Sequence, residues 1–209
     1  MVYNSMIVFY KMNFMRTLAI IFSILLLVGC GDDDTTPGPI TRATAGIFTA
    51  ITEDGTTYTA GESVGTATFE YQDGVTTILV ELSGMDPNGA HAMHLHEGTF
   101  TQPGRHWNQG ILSSSFCREM SLGEVWAKTF AGDVGNIDID ENGNGTFTLK
   151  TDLWSIGTFD EKDILGTVLF VHQNFEDFAN ECDPNHDHNH GHQNAKIAGG
   201  TVILEVEQL

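Results

Sequence analysis

Short runs of β-forming residues, separated by turn signals, are the feature that most limits what this chain can fold into. Turn signals such as Asp73-Gly74 and Asp86-Pro87-Asn88-Gly89 bound several of the runs, and no long helical pattern interrupts them. The pattern predicts an all-β domain, an eight-stranded antiparallel Greek-key barrel or sandwich with long loops. The predicted strands are Thr44–Thr52, Gly65–Tyr71, Thr76–Leu82, Ala90–His96, Asn136–Asp140, Gly145–Thr151, Gly166–His172 and Gly200–Val206. Between Gln109 and Thr129 the pattern is irregular, and Arg118–Lys128 fits either a short helix or a loop.

The segment His91-Ala92-Met93-His94-Leu95-His96-Glu97 places two histidines, His94 and His96, two residues apart on a predicted strand. Side chains at that spacing project from the same face, roughly 7 Å apart along the strand. Two imidazoles so placed can bind one metal ion, and imidazole suits copper, zinc, nickel and iron. The alternative is a polar strand with solvated histidines. His106 and His172 supply further ligands, which favours a metal site.

Four motifs in a fixed order resemble the copper/zinc superoxide dismutase family. They are His-x-x-His-x-His-Glu from His91, Gly-x-His-x-Asn from Gly104, Gly-Asp-x-Gly-Asn from Gly132, and a hydrophobic run that ends in Val171-His172. The resemblance spans residues 91 to 200 and implies the eight-stranded Greek-key fold.

The resemblance also implies a function and a ligand set. The function is copper-dependent dismutation of superoxide to dioxygen and hydrogen peroxide. His91 matches a structural histidine that is hydrogen-bonded to the backbone, and His106 matches the ligand whose proton cycles during the reaction. Glu176 and Asp177 stand where the family has a carboxylate that hydrogen-bonds a copper ligand. The positions that match the four copper ligands are His94, His96, His106 and His172.

The chain departs from the family at the zinc site. No histidine lies between His106 and Asp133, and two positions that bind zinc in the family fall on Ser114 and Phe130. A phenyl ring cannot bind zinc, and a structural zinc site needs four ligands. We therefore expect a copper-only member without structural zinc, in which the second ring nitrogen of His106 donates to a carboxylate, Asp133.

Two other positions of the family are altered. Its active-site arginine aligns with Lys196, which keeps the positive charge but loses the planar guanidinium fork. The resemblance implies that Lys196 docks the superoxide anion beside the metal. The positions of the family's disulfide fall on Phe100 and Gly199, so that bond is absent.

The N-terminal segment predicts the compartment. An apolar run, Leu18–Val28, follows Lys11 and Arg16 and is too short for a comfortable membrane span. It leads into Leu27-Val28-Gly29-Cys30, which resembles a bacterial lipoprotein signal box and implies cleavage before a lipidated Cys30. An uncleaved anchor helix is the alternative. We expect an exported domain that is anchored by lipid to a bacterial membrane, on the periplasmic side or at the cell surface.

This interpretation divides the chain into a signal peptide, a tether and one folded domain. Residues 1–29 form the signal peptide, and residues 30–42 form an acidic, flexible tether. Residues 43–209 form the domain that resembles superoxide dismutase.

The charge of the chain limits its partners. The sequence carries 28 acidic and 9 basic side chains, a net charge of −19, and loss of the signal segment with Lys11 and Arg16 makes it more negative. Such a charge argues against nucleic acid or anionic lipid as a partner. Attraction of superoxide must therefore come from the metal and from Arg105, Lys196 and Arg118.

The remaining cysteines predict a disulfide. Of the 3 cysteines, Cys30 is the expected lipidation site, which leaves Cys117 and Cys182. In an oxidising compartment an even pair favours a bond, here between the loops that follow His106 and His172. Two free thiols are the alternative.

A further group of histidines lies near the C-terminus, and it alternates with Asp and Asn, a composition typical of metal binding. These residues could form a metal trap that gathers copper or zinc, or a hydrophilic loop that binds metal only adventitiously, and the sequence leaves both open. The histidines are His186, His188, His190 and His192.

Two rival functions remain. One is a copper-binding or copper-storage lipoprotein on the same fold, and the other is a metal-free adhesive sandwich, since fold does not fix function. The four ligand-position histidines argue against the adhesive sandwich. They do not separate an enzyme from a copper binder, and the sequence does not define the oligomeric state.

Overall fold

The alternation of apolar and polar residues in the predicted runs produces strands with one buried face. A computed structural model describes residues 36–111, 130–177 and 195–206. Gly38–Leu209 form one compact unit, distinct from Met1–Pro37, and the fold below is that of Gly38–Leu209.

The described residues form ten strands joined by turns and loops. The strands are β1 (Thr41–Ile51), β2 (Thr59–Gln72), β3 (Val75–Leu82), β4 (Ala90–Gly98), β5 (Pro103–His106), β6 (Asp133–Asp138), β7 (Gly145–Thr151), β8 (Val168–His172), β9 (Lys196–Thr201) and β10 (Ile203–Leu204). Within these ranges no helix has the length and apolar character that a membrane span requires.

The strands form one curled antiparallel sheet. Its path is β5-β4-β8-β9-β1-β2-β3-β7, with β6 paired to β4 and β10 paired to β1. After β6 and β7 the chain returns so that β8 lies beside β4, the crossover of a Greek key. The predicted all-β antiparallel class is thereby confirmed.

The core lies on one side of this sheet, and two of the strands that carry the candidate site, β4 and β8, are buried along most of their length. On β4, Met93 and Leu95 face the core, while His94 and His96 alternate with them onto the opposite face. All five residues of β8 are buried. Strand β5, which completes the site, is partly exposed.

The observed strands differ from the predicted ones at several places. Strand β1 begins at Thr41, inside the predicted tether, β2 begins at Thr59 and not at Gly65, and β6 spans Asp133–Asp138 where Asn136–Asp140 was predicted. Strand β5 was not predicted, because a four-residue run with Pro103 and Gly104 has no β-forming pattern. The predicted run Gly200–Val206 is divided between β9 and β10 at Val202, whose N–H donates to the carbonyl of Thr167 outside the ladder. The strand that precedes this break begins at Lys196, so Lys196 belongs to the sheet and not to a loop.

Candidate metal centre

Four histidines from three strands converge at one end of the sheet. His94 and His96 lie on β4, His106 ends β5, and His172 ends β8. The register pairs His96 with His106 across β4 and β5. Each histidine offers one nitrogen to a group in which all four nitrogens lie within 4.8 Å of one another. Among the described residues this is the one cluster of three or more histidine, cysteine or acidic side chains arranged to hold a metal ion.

The four imidazole rings lie in close contact with one another. The ring centroids of His94 and His106 are 4.2 Å apart, and those of His94 and His172 are 4.6 Å apart. Nε2 of His96 lies 3.3 Å from Nε2 of His172. His94, His96 and His172 are almost completely buried. Imidazoles that converge in this way can share one metal ion through the lone pairs of their ring nitrogens.

Hydrogen-bond acceptors on the outer side of the cluster fix the ring orientations. Nδ1 of His96 lies 3.0 Å from the carbonyl oxygen of Gly104, which can only accept a hydrogen bond. Nδ1 of neutral His96 therefore carries the proton, and Nε2 presents its lone pair toward His172. Outer partners of this kind fix the tautomer of metal-binding histidines.

Carboxylates lie beside two more histidines. Nδ1 of His106 lies 3.3 Å from Oδ1 of Asp133, within hydrogen-bonding geometry, and Nε2 of His94 lies 3.1 Å from Oε2 of Glu176 as a close electrostatic contact. Because an ionised carboxylate only accepts, neutral His106 keeps its proton on Nδ1. Its Nε2 is then left with a lone pair. His106 is thus oriented as a metal ligand before any ion binds.

The donor set defines which ions the site fits. Four imidazole nitrogens suit copper or zinc, whereas calcium and magnesium need oxygen ligands. The buried position favours the neutral ligands further. Burial lowers the pKa of His96 well below its usual value, and electrostatic interactions with His106 and Lys196 act in the same direction.

Asp133 is held firmly beside His106. Its side chain is only 1% exposed, and its Oδ2 accepts a hydrogen bond of 2.6 Å from the backbone N–H of Phe130. The Phe130 ring meets the His106 ring edge-on at 6.0 Å. The outer nitrogen of His106 therefore faces a carboxylate, and the Phe130 ring lies near the same imidazole, while Ser114 lies outside the described residues.

His91 ties the two ligand strands together without joining the cluster. Its Nδ1 lies 2.9 Å from the carbonyl oxygen of His172 and 3.0 Å from that of Gln173, so it donates to both. The His91 side chain is buried. His91 thus fixes the end of β8 at the residue that presents the fourth imidazole.

Sequence reasoning missed the residue that positions Glu176. Asn136 donates from Nδ2 to the carbonyl oxygen of Glu176 and accepts from its backbone N–H, both at 2.8 Å. Asn136 ends the Gly-Asp-x-Gly-Asn motif, which was a signal that its amide has a fixed partner. Asp177, the other carboxylate considered for this role, follows Glu176 and is half-buried.

The two basic residues near the cluster differ in how they are held. Arg105 makes two hydrogen bonds to Glu97, at 2.9 and 2.7 Å, so its charge is largely offset. Lys196 lies opposite His172 in the β8–β9 ladder, with Nζ over the rings of Tyr58 and Phe170. Burial lowers the pKa of Lys196. Of these two, Lys196 is the cation whose charge remains available to an anion.

Several predicted features lie outside the described residues. They include the lipidation site, the disulfide, one basic residue and the alternating histidines, all of which stay predictions. They are Cys30, Cys117, Arg118, Cys182, His186, His188, His190 and His192.

The fold and the cluster define a class: an antiparallel Greek-key β-protein with a four-imidazole site suited to copper or zinc. Residues 63–202 match the family model described as copper/zinc superoxide dismutase (SODC), and the chain belongs to that family.

Curated relatives are similar over somewhat more than half of this chain. A Cu-Zn superoxide dismutase of Mycolicibacterium paratuberculosis is 26% identical over 128 residues, which cover 57% of this chain and 54% of that protein. Those of Humicola lutea and Candida albicans are 30% and 32% identical over 122 residues, 55% of this chain and 74% and 73% of the relatives. The chain thus spans about half the length of the mycobacterial relative.

Solved structures support the fold. A mutant of a SOD-like protein from Bacillus subtilis has a TM-score of 0.55 at 18% identity, covering 77% of this chain and 97% of that chain. The clock protein EA4 has a TM-score of 0.54 at 24% identity, with coverage of 78% and 94%. At these identities the likeness concerns the fold alone.

Proposed function

We propose that this protein is a copper-dependent superoxide dismutase that acts outside the cytoplasm. The observation that carries the proposal is the cluster of His94, His96, His106 and His172, whose nitrogens lie within 4.8 Å of one another. Membership of the copper/zinc superoxide dismutase family supports the substrate, superoxide. Copper would supply the one-electron oxidation and reduction that dismutation requires.

The chain's own residues would hold the metal, move a proton and attract the anion. His94, His96 and His172 keep their orientation through Glu176, Gly104 and the β8–β9 ladder. His106 differs, because Asp133 retains the proton on its Nδ1 while Nε2 faces the centre. The proton that His106 gives up and regains is therefore expected on Nε2, close to the reacting oxygen species.

We propose copper without structural zinc. Support comes from Asp133, which contacts Nδ1 of His106 directly, and from Phe130, whose ring lies edge-on to the His106 ring. A zinc ion on Nδ1 of His106 would have to displace the proton that this nitrogen donates to Asp133. It would also lack a ligand at Phe130, because a phenyl ring cannot bind zinc.

Metal analysis together with a superoxide-consumption assay tests the function. The purified chain is loaded with copper, with zinc, or with both, and then dialysed. We expect tightly retained copper, little zinc, and superoxide consumption that depends on copper. His172→Gln should lose both tight copper and turnover. A variant with the four alternating histidines, His186 to His192, changed to Asn should retain both.

The outcomes separate the functions under consideration. Copper retention in the strand site without turnover would replace the enzyme with a copper-binding lipoprotein. Zinc retained at one equivalent through His106 and Asp133 would overturn the copper-only proposal. Loss of copper only in the variant of the alternating histidines would move the metal site to that segment.

We also propose that the protein is exported, lipidated on Cys30 and anchored to a bacterial membrane. The support is the sequence Leu27-Val28-Gly29-Cys30 behind an apolar run. Metabolic labelling with a radioactive fatty acid should mark the wild type and not Cys30→Ser. A labelled Cys30→Ser protein would refute lipidation at this cysteine.

A further inference from the structure

Three aromatic rings form a continuous group next to the histidine cluster. Phe170 lies at the centre, with its ring centroid 6.1 Å from that of Tyr58 and 5.5 Å from that of Phe100. The Phe170 ring also meets the His96 ring at right angles, at 5.4 Å. Tyr58 is thus connected to a metal-site histidine through one intervening ring.

The ammonium of Lys196 lies over two of these rings. Nζ is 6.0 Å from the ring centroid of Tyr58 and 5.7 Å from that of Phe170. The faces of aromatic rings carry negative electrostatic potential, so they attract a cation at this distance. Lys196 takes part in none of the ion pairs between described residues.

An aromatic ring and a carboxylate that hold a cation differ in how much net positive charge they leave to attract an anion. A carboxylate cancels the charge, as Glu97 does for Arg105. A ring holds the ammonium through its quadrupole and leaves the net positive charge in place. In a chain with a net charge of −19, a cation that is held in place and keeps its charge raises the rate at which an anion associates with the site.

Tyr58 is itself fixed by contacts that do not involve the metal ligands. Its hydroxyl donates to the carbonyl oxygen of Gly55 at 3.0 Å, and its backbone N–H donates to that of Thr101 at 2.9 Å. The residue is 3% exposed. The ring therefore has a defined position before any metal or substrate arrives.

Gly199 makes room for the central ring. It pairs with Phe170 across β8 and β9, and a Cβ at Gly199 would lie 2.6 Å from Cδ1 of Phe170. Only glycine allows the ring to lie against this backbone. The resemblance to the family aligns Phe100 and Gly199 with the two ends of its disulfide, and here the Phe100 and Phe170 rings pack with centroids 5.5 Å apart.

We propose that Tyr58 and Phe170 form an aromatic seat that positions the Lys196 ammonium beside the histidine cluster, which makes Tyr58 a positioning residue of the anion site. The proposal rests on the proposed function insofar as the anion is superoxide. Tyr58 contributes through its ring face and does not touch the reacting atoms.

Nuclear magnetic resonance of the metal-free full chain, with ¹³C-labelled lysine, tests the seat directly. Protons over a ring face are shifted upfield, so the Lys196 signals, assigned by their loss in Lys196→Arg, should be upfield of free lysine. Tyr58→Phe should keep the shift, and Tyr58→Leu should move the signals toward the free position. Tyr71→Leu, the same change near the C-terminal end of β2, is the matched control and should have no effect.

Anion affinity gives a second readout, with azide as the probe on the copper-loaded chain. Tyr58→Leu should weaken azide binding about two- to ten-fold, the range that a cation–π contact supports. Tyr58→Phe should bind azide as the wild type does. Replacement of Tyr58 by pentafluorophenylalanine keeps the shape of the ring and removes its negative face, so it should weaken binding even if Tyr58→Leu folds poorly.

The results discriminate between the seat and the enzyme. Unchanged Lys196 signals and azide affinity in Tyr58→Leu and in the fluorinated protein would overturn the seat. If those two measurements change as expected but the copper-loaded wild type does not consume superoxide, the seat stands and the dismutase proposal fails.

Discussion

Asp133 lies against His106, with Oδ1 3.3 Å from Nδ1, so a carboxylate directly contacts the ring nitrogen that faces away from the histidine cluster. The same carboxylate is anchored by the backbone N–H of Phe130. The geometry gives His106 one fixed proton and one lone pair. The contact also joins the start of β6, at Asp133, to the end of β5, at His106, so the ligand and its supporting carboxylate come from separate parts of the chain.

Replacement of Asp133 by Asn should weaken copper binding. The amide keeps the shape but loses the charge, and it can present N–H to Nδ1 and reverse the tautomer of His106. We expect a dissociation constant for copper that is about 10- to 100-fold higher, as for other supporting partners of metal ligands. Competition with a chelator of known affinity measures it. Asp138→Asn, an exposed change on the same strand, is the control, and equal affinities in both variants would contradict this role.

Asn136 should prove important for both stability and metal binding. Its side chain makes two hydrogen bonds to the backbone of Glu176, whose carboxylate reaches His94. Asn136→Ala should lower the free energy of unfolding by about 1–3 kcal/mol, since two backbone groups lose their partner. Copper affinity should fall as well, because Glu176 is no longer fixed. Urea unfolding of the metal-free protein separates the two effects, and unchanged unfolding would rule out the anchoring role.

The metal-free protein should lose stability as the pH falls. Burial lowers the pKa of His96 well below 6.5, so the unfolded chain binds a proton below that pH while folded His96 does not. The unfolded state then holds more protons, and the free energy of unfolding decreases from about pH 6.5 downward. Thermal melting between pH 5 and 8 should show this slope, and His96→Gln should reduce it. An identical slope in His96→Gln would assign the effect to other groups.

The sequence predicted most of the sheet because its strands alternate apolar and polar residues. Gly145–Thr151 matches β7 at both ends, and Thr76–Leu82 matches β3 within one residue. Strand β5 could not be predicted, since Pro103-Gly104-Arg105-His106 has no β-forming pattern and becomes a strand only by pairing with β4. The four ligand-position histidines could be predicted because ordered motifs mark them.

The surroundings of the site were harder to predict. Arg105 meets Glu97 only because β4 and β5 form a hairpin. The expectation that Arg105 attracts an anion therefore left out the carboxylate that offsets its charge. The two rings next to Lys196, Tyr58 and Phe170, come from distant segments, and Phe100 from a third packs against Phe170. No local spacing marks such a group, and only the folded sheet brings it together.

Lys196→Ala should slow superoxide consumption and leave copper content nearly unchanged. We expect a decrease in kcat/KM of roughly ten-fold at low ionic strength, which becomes smaller as salt screens the charge. Lys196→Arg should preserve or raise the rate. Lys150→Ala removes the same charge from an exposed position on β7 and should behave like the wild type. Full activity of Lys196→Ala at every salt concentration would show that Lys196 does not dock the anion.

Gly199→Ala should destabilise the fold because the added methyl group has no space. Its Cβ would lie 2.6 Å from Cδ1 of Phe170 and 2.8 Å from the carbonyl oxygen of Leu169, and the backbone oxygen cannot move aside easily. Overpacking of this kind costs about 1–3 kcal/mol, measurable by urea unfolding. Gly46→Ala is the matched control on β1, since its Cβ would meet only the partly exposed ring of Phe48 at 3.2 Å.

The same variant links packing to the anion site. If Phe170 shifts to accommodate the methyl group, the Lys196 signals should move with it, whereas Gly46→Ala should leave them in place. A loss of stability without any change at Lys196 would mean that the ring yields in another direction, away from the ammonium. Equal stability of Gly199→Ala and the wild type would contradict the close packing of Phe170 on β9.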